Sequence, residues 1–331
     1  MNYDLIKQNR KISWFFLLSV IFIIYLLQKE INQFFTSIIC FLLIATIGVS
    51  HGSLDNLKGK KLFKMYKIKN FYLFYFYYIL ISFFIIGLWY ILPSLTIFSF
   101  LLIASYHFGK EDTIFNFDNE KKINNKIEIS FLLKGSIIIL APITFHYQET
   151  YEIFSLLFLN DSFFLKTLNY IKYFDITNAY GLTFLNLLFI SSILSGLYLH
   201  TCKNSIGLGD FLGGDNLIPD FISIIALNAI FDPLIAFTIY FCFLHSTRHT
   251  VSLIYELDEK NFKNGLNKFI KKAIPLTLVT ATMFIFAVYY LANYYVLDDA
   301  ILKVIFIGLA SLTFPHILLE YLLEKNEKQR N

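Results

Sequence analysis

What constrains this chain most is a recurrence. Apolar stretches long enough to cross roughly 30 Å of hydrocarbon return along its whole length rather than at one anchor. Candidate spans fall at 12–27, 34–50, 71–92, 94–108, 131–147, 180–201, 222–247, 273–296 and 301–323. Only 16% of the 331 residues are charged and 56% are hydrophobic, whereas an average soluble domain is about 25% charged. The expected fold is an all-α, polytopic transmembrane helix bundle. No internal repeat or separate domain stands out, so residues 1–331 read as one integral-membrane domain.

The first run, "MNYDLIKQNRKISWFFLLSVIFIIYLL", has the basic flank and apolar core of a secretory signal. No small-residue cleavage site comes after it, and it is read as the first retained span. Cys40, Cys202 and Cys242 are odd in number, widely spaced and lie in or beside apolar segments, which suggests neither a disulfide framework nor a thiolate metal site. The net charge of +4 resides in loop lysines, so nothing supports nucleic acid as a partner. Residues 116–129 read as a polar loop, and residues 159–174 as an amphipathic segment lying in the membrane interface.

Lysine and arginine in short loops face the cytoplasm. Three groups stand out: Lys7, Arg10 and Lys11; the six lysines from Lys58 to Lys69; and Lys110, Lys121, Lys122 and Lys126. An N-terminus inside satisfies all three, but a simple crossing at 222–247 would strand Lys260, Lys263, Lys268, Lys271 and Lys272 outside. Either 222–247 is a re-entrant hairpin, broken at Asp232 and Pro233, or 154–174 crosses as well. Both repairs put 250–272 and the C-terminus inside. The expectation is about eight spans with a hairpin in the cell's inner membrane, both termini cytoplasmic.

This topology places His51, His107, His245 and His249 at cytoplasmic ends of spans. His245 and His249 lie four apart and share a helical face, so both can bind one ion. Asp55 follows His51 by four; Glu111 and Asp112 follow His107 by four and five. Such carboxylates suit the outer shell of a metal histidine, or could be ligands themselves. Gly52 and Gly109 beside these histidines could permit a turn. An interfacial histidine is ordinarily just solvated or hydrogen-bonded, and His146 and His200 are read that way. His316 sits inside the last span, where an ionisable group suggests function, yet Pro315 frees a carbonyl that it could satisfy. The glycine-rich "GLGDFLGGDN" lacks the ending of a phosphate loop and reads as a connection that could bring Asp210 or Asp215 near the site.

An imidazole-rich set suits iron, copper or zinc. The HExxH of a zinc protease is absent, since Ser246 and Thr247 follow His245. Seven histidines without an HxxHH cluster fall short of a diiron desaturase. A mononuclear iron site using dioxygen on a lipid-soluble substrate survives these exclusions. A divalent-metal transporter is the rival of another class, but outward of the cytoplasmic ends the spans lack the polar path that transport needs.

The motifs "VSHGSLDN", "SYHFGKED", "FLHSTRHT" and "LTFPHILLE", in this order from the second span to the last, resemble those of the Brp/Blh-type β-carotene 15,15′-dioxygenases. The resemblance implies one catalytic domain, with His51, His107, His245 and His249 as ligands of Fe(II). It implies that dioxygen is spent on the central double bond of β-carotene, giving two all-trans-retinal molecules. Asp55 and Asp112 would support the ligands, and Arg248 would point away or pair with Asp112 or Asp210. Implied partners are β-carotene, the lipid bilayer and a microbial rhodopsin as retinal acceptor. A related iron oxygenase acting on another carotenoid or lipid is the competing reading.

Overall fold

A computed structural model describes residues 3–26, 33–114, 125–158, 184–202 and 217–328. Among them every regular element is helical. The order is α1 (Tyr3–Leu26), α2 (Gln33–Thr46), a 3₁₀ turn (Gly48–Leu54), α3 (Asp55–Met65), α4 (Tyr72–Ile91) and α5 (Pro93–Glu111). Next come α6 (Asn125–Gly135), α7 (Ile137–Phe145), α8 (Tyr147–Leu157), α9 (Phe184–Cys202), α10 (Leu217–Ile230) and α11 (Pro233–Tyr240). A π-helical turn (Phe241–His245) leads into α12 (Ser246–Leu257), α13 (Phe262–Leu291) and α14 (Leu297–Lys328).

Six stretches among the described residues are long and apolar enough to cross a membrane: Leu5–Leu26, Thr36–Met65, Tyr72–Ile91, Asn125–Phe145, Phe262–Leu291 and Leu297–Glu327. Their exposed side chains include Phe83, Phe84, Met283, Phe286 and Tyr289. Such surface is tolerable where lipid replaces water. Part of the polar loop expected at 116–129 is helix, because α6 already starts at Asn125. The amphipathic segment expected at 159–174, and Asp210 and Asp215, lie outside the described residues.

Sequence chemistry sets several helix ends. Pro233 opens α11 at its first turn, where its missing N–H costs nothing, and Asp232 before it is extended (φ −51°, ψ 150°). The chain therefore breaks where the acid and the proline stand. With 14 residues, α10 rises about 21 Å at 1.5 Å per residue, less than the hydrocarbon thickness. Asn261 caps α13, its side chain accepting from the Asn264 N–H.

The chain forms two compact units, Met1–Thr36 with Leu101–Ser252 and Ser37–Phe100 with Leu253–Asn331. In the first unit α1 packs on α10, and α7 packs on both α9 and α10. α6 lies on α9, with Ile127, Phe131, Leu199 and Leu217 forming an apolar cluster. There α5 and α6 approach backbone to backbone: a Cβ added to Gly109 would collide with the Phe131 carbonyl oxygen, and one on Gly135 would collide with that of Ser105. Gly109 thus serves close packing inside a helix, not the turn that the sequence suggested. In the second unit α14 packs on α3, α4 and α13, and the 3₁₀ turn rests on α13. Leu54, Leu253, Ile254, Phe269 and Ala273 form one of its cores.

Candidate metal site

In the first unit the π-helical turn delivers His245 and α12 delivers His249, both buried. A π turn adds a residue to the helical repeat and re-aims the side chains beyond it, which is why such turns recur at functional sites. The Thr247 hydroxyl donates to the Cys242 carbonyl five residues back, at 3.2 Å. The end of α5 faces this segment. His107 lies edge-on to His245, with ring centroids 5.4 Å apart and planes at 70°. The Phe108 ring stands 4.7 Å from the His245 ring.

The two acids that close α5 face the α12 side. Asp112 Oδ1 is 3.2 Å from His245 Nδ1, and Glu111 Oε2 is 3.5 Å from His249 Nδ1. A carboxylate only accepts hydrogen bonds, so Nδ1 of His245 carries the proton and Nε2 is the nitrogen with a lone pair. Asp112 is also held from its other side, since the Tyr240 hydroxyl donates to its Oδ2 at 2.6 Å. Burial pushes the Asp112 carboxyl up, but the hydrogen bond from His245 and the nearby charges of Arg248 and Lys134 outweigh it and hold it well below the usual carboxylate range. Asp112 is therefore an anion at neutral pH.

Arg248 is almost wholly enclosed, 1% exposed. Its Nη2 donates to Asp220 Oδ1 at 2.8 Å and to the Ser13 hydroxyl at 2.5 Å. Its Nη1 is 3.9 Å from Asp112 Oδ1. Of the two acids expected beside Arg248, Asp112 is near it but not hydrogen-bonded, and Asp210 lies outside the described residues. The bonded acid is Asp220, which the sequence reading missed. Its signal was there: "LIPDFISII" carries a lone acid in an apolar run.

In the second unit the 3₁₀ turn carries His51, buried, and Asp55 opens α3. Asp55 serves a different histidine from the one it follows. His316 Nδ1 lies 2.9 and 2.8 Å from its two carboxylate oxygens, and the Tyr78 hydroxyl donates to Oδ2 at 2.9 Å. His51 stands edge-on to His316, centroids 5.7 Å apart. The Nε2 of His316 is 3.5 Å from Glu320 Oε1, which also takes a 2.6 Å ion pair from Lys58. Pro315 sits inside a continuous α14, and Nδ1 of His316 turns to the Asp55 carboxylate.

His107, His245 and His249 thus gather in one unit, and His51 stands beside His316 in the other. Two imidazoles (His245 and His316) are hydrogen-bonded to a carboxylate at Nδ1, the arrangement that fixes a tautomer and offers Nε2 to a metal, and Glu111 faces Nδ1 of His249 at 3.5 Å. That donor chemistry fits a divalent transition metal. His146, Glu149 and Asp232 also bring ligand atoms within 4.8 Å of one another in the first unit. Both of those acids are exposed, and the group belongs to neither histidine cluster above. Of the cysteines, Cys40 is buried in α2 and Cys242 in the π turn.

Comparison with known proteins bears on this geometry. The family model for beta-carotene 15,15'-dioxygenase matches residues 42–324, well over half of the chain. A protein named beta-carotene 15,15'-dioxygenase, from uncultured marine bacterium 66A03, is 28% identical over 284 residues, covering 84% of this chain and 90% of the relative. No solved structure matches.

Proposed function

Because the chain belongs to the β-carotene 15,15′-dioxygenase family, we propose that it cleaves β-carotene at its central double bond, giving two retinal molecules, at an Fe(II) held by His51, His107, His245 and His249. The observation that carries the ligand assignment is the hydrogen bond between Nδ1 of His245 and Asp112, with Nδ1 of His249 one turn on facing Glu111 at 3.5 Å. His107 joins them through its ring contact with His245. His51 enters the set on the resemblance of its motif.

Bound iron would supply the activation of dioxygen. Everything else falls to the chain. Asp112 holds the proton at Nδ1 of His245, and Tyr240 holds Asp112. The substrate is a hydrocarbon that offers no hydrogen-bonding group, so recognition rests on shape, and the protein's share of catalysis is to place one of many similar double bonds. Apolar helices give such a substrate access from the bilayer. The balance is simple: one C=C bond and one O₂ become two C=O groups, with no proton or electron left over. We also place the chain in the cell's inner membrane with about eight spans, a hairpin around Asp232 and both termini cytoplasmic.

Expression in bacteria that already make β-carotene tests this reading, with pigment and retinal quantified beside a His245→Ala control. Loss of β-carotene with matching retinal in the wild type alone is the expected result. Unchanged pigment in cells holding folded, iron-loaded protein would turn the search to another carotenoid or lipid.

A further inference from the structure

Arg248 raises a problem that the iron reading alone does not answer. Its guanidinium is always charged and lies between two proposed ligands of a cation in the sequence. Among the described residues of the first unit, four charged groups answer it: Arg248, Asp112, Asp220 and Lys134 are all nearly inaccessible to solvent. Lys134 donates to the Thr113 hydroxyl at 2.7 Å. Two cations and two anions therefore balance one another, and the division of labour between the two anions matters.

Asp220 takes Arg248, at 2.8 Å, and Ser13 accepts from the same Nη2. Asp112 takes His245 through Oδ1 and Tyr240 through Oδ2. The other terminal nitrogen of Arg248, Nη1, has no hydrogen-bond partner among the described residues and stands 3.9 Å from the Asp112 oxygen that faces His245. Among the described residues, a guanidinium deprived of Asp220 has one neighbouring carboxylate to turn to, Asp112, and a bond charged on both sides is about twice as strong as a neutral one.

We propose that Asp220, with Ser13, is a positioning residue for the metal site: it holds the Arg248 guanidinium so that Asp112 stays on Nδ1 of His245 and the imidazole keeps Nε2 for the metal. The inference rests on the iron reading above. Asp220 acts only through Arg248 and Asp112 and touches neither metal nor substrate.

The test is Co(II) affinity, measured by chelator competition and by visible absorption on the full chain in detergent, without turnover. Asp220→Asn is expected to weaken Co(II) binding about 10- to 100-fold, the usual loss when support behind a ligand is removed. Adding Arg248→Met to that variant removes the competing cation and is expected to restore affinity to within a few-fold of wild type. Wild-type affinity in Asp220→Asn, or a double variant as weak as the single one, overturns the proposal. If Asp220→Asn does not fold, the double variant and Ser13→Ala decide. The expectation is then near-wild-type affinity in the former and about threefold weaker binding in the latter, which frees the guanidinium without stranding a charge; unchanged affinity in Ser13→Ala overturns the proposal. His245→Ala separates the two readings, because wild-type Co(II) affinity there would mean that the ligand assignment itself fails.

Discussion

Beside α5 and α12, each histidine of the HxxxH pair looks onto its own member of an adjacent acid pair. In the unit built on α13 and α14 a single acid gives both oxygens to one imidazole. The first arrangement divides the work: Asp112 is shared by His245 and Tyr240, Arg248 is held elsewhere by Asp220, and Glu111 stands at 3.5 Å from His249. The second concentrates it, since both oxygens of Asp55 lie on Nδ1 of His316, while the Tyr78 hydroxyl that donates to Oδ2 also donates to the Leu312 carbonyl at 3.4 Å. Distributed support should tolerate the loss of one member better than concentrated support does.

Asp55→Ala should accordingly have the largest effect on stability. It strands a buried imidazole and leaves the Tyr78 hydroxyl only its longer, 3.4 Å bond to the Leu312 carbonyl, and a buried polar group left unsatisfied costs about 1–3 kcal/mol. Glu111→Gln should cost under about 1 kcal/mol, because Glu111 is partly exposed and beyond hydrogen-bond distance from His249. Melting of the two variants in detergent checks this. Equal losses would break the contrast.

Two glycines sharpen it further. Gly52 follows His51 directly, and Gly109 comes two residues after His107. In the sequence they look alike. In the structure a Cβ at Gly52 meets nothing within 4 Å, whereas at Gly109 it collides with the Phe131 carbonyl and the Gly135 amide nitrogen. Neither backbone can move without parting α5 from α6. Gly109→Ala should destabilise by about 1–3 kcal/mol or more, while Gly52→Ala should stay within about 0.5 kcal/mol. Thermal melts that rank them the other way would mean that α5 and α6 do not pack this closely.

These glycines show where sequence reading ended. The helical class was legible from periodic apolar length, and the break at Asp232 and Pro233 from residue chemistry. Spacing also brought out the histidines and the acids near them. It did not reveal which acid serves which histidine, for a physical reason. A separation of four implies a shared face only while an α-helix continues, but Gly48–Leu54 is a 3₁₀ turn, and α5 ends at Glu111 before Asp112. Asp55 therefore reaches His316, 261 positions away, and the acids after His107 turn to His245 and His249. The π turn that aims His245 has no residue signature in "FCFLH", and Ser13 gave no hint of its bond to Arg248. Such pairings are tertiary facts.

The same logic predicts a small effect at an exposed ion pair. Asp258 accepts from Lys268 at 2.8 Å and from Asn264 near the start of α13, at a partly exposed site. The hydrogen bonds from Lys268 and Asn264 hold its carboxyl below its ordinary value of 3.8. A carboxylate with a depressed folded-state pKa contributes stability that is complete above the unfolded value and fades as pH falls through the folded one. Asp258→Asn should therefore loosen the start of α13 slightly at neutral pH, read as faster amide exchange at Asn264 and Lys268. The difference from wild type should close as pH drops below 3.8. Added salt should also shrink it, because water screens this pair. The enclosed Arg248–Asp220 pair, by contrast, should be almost indifferent to salt. A salt response at Asp220 as large as at Asp258 would show that water reaches the charges behind His245, and the division of labour between Asp220 and Asp112 would lose its basis.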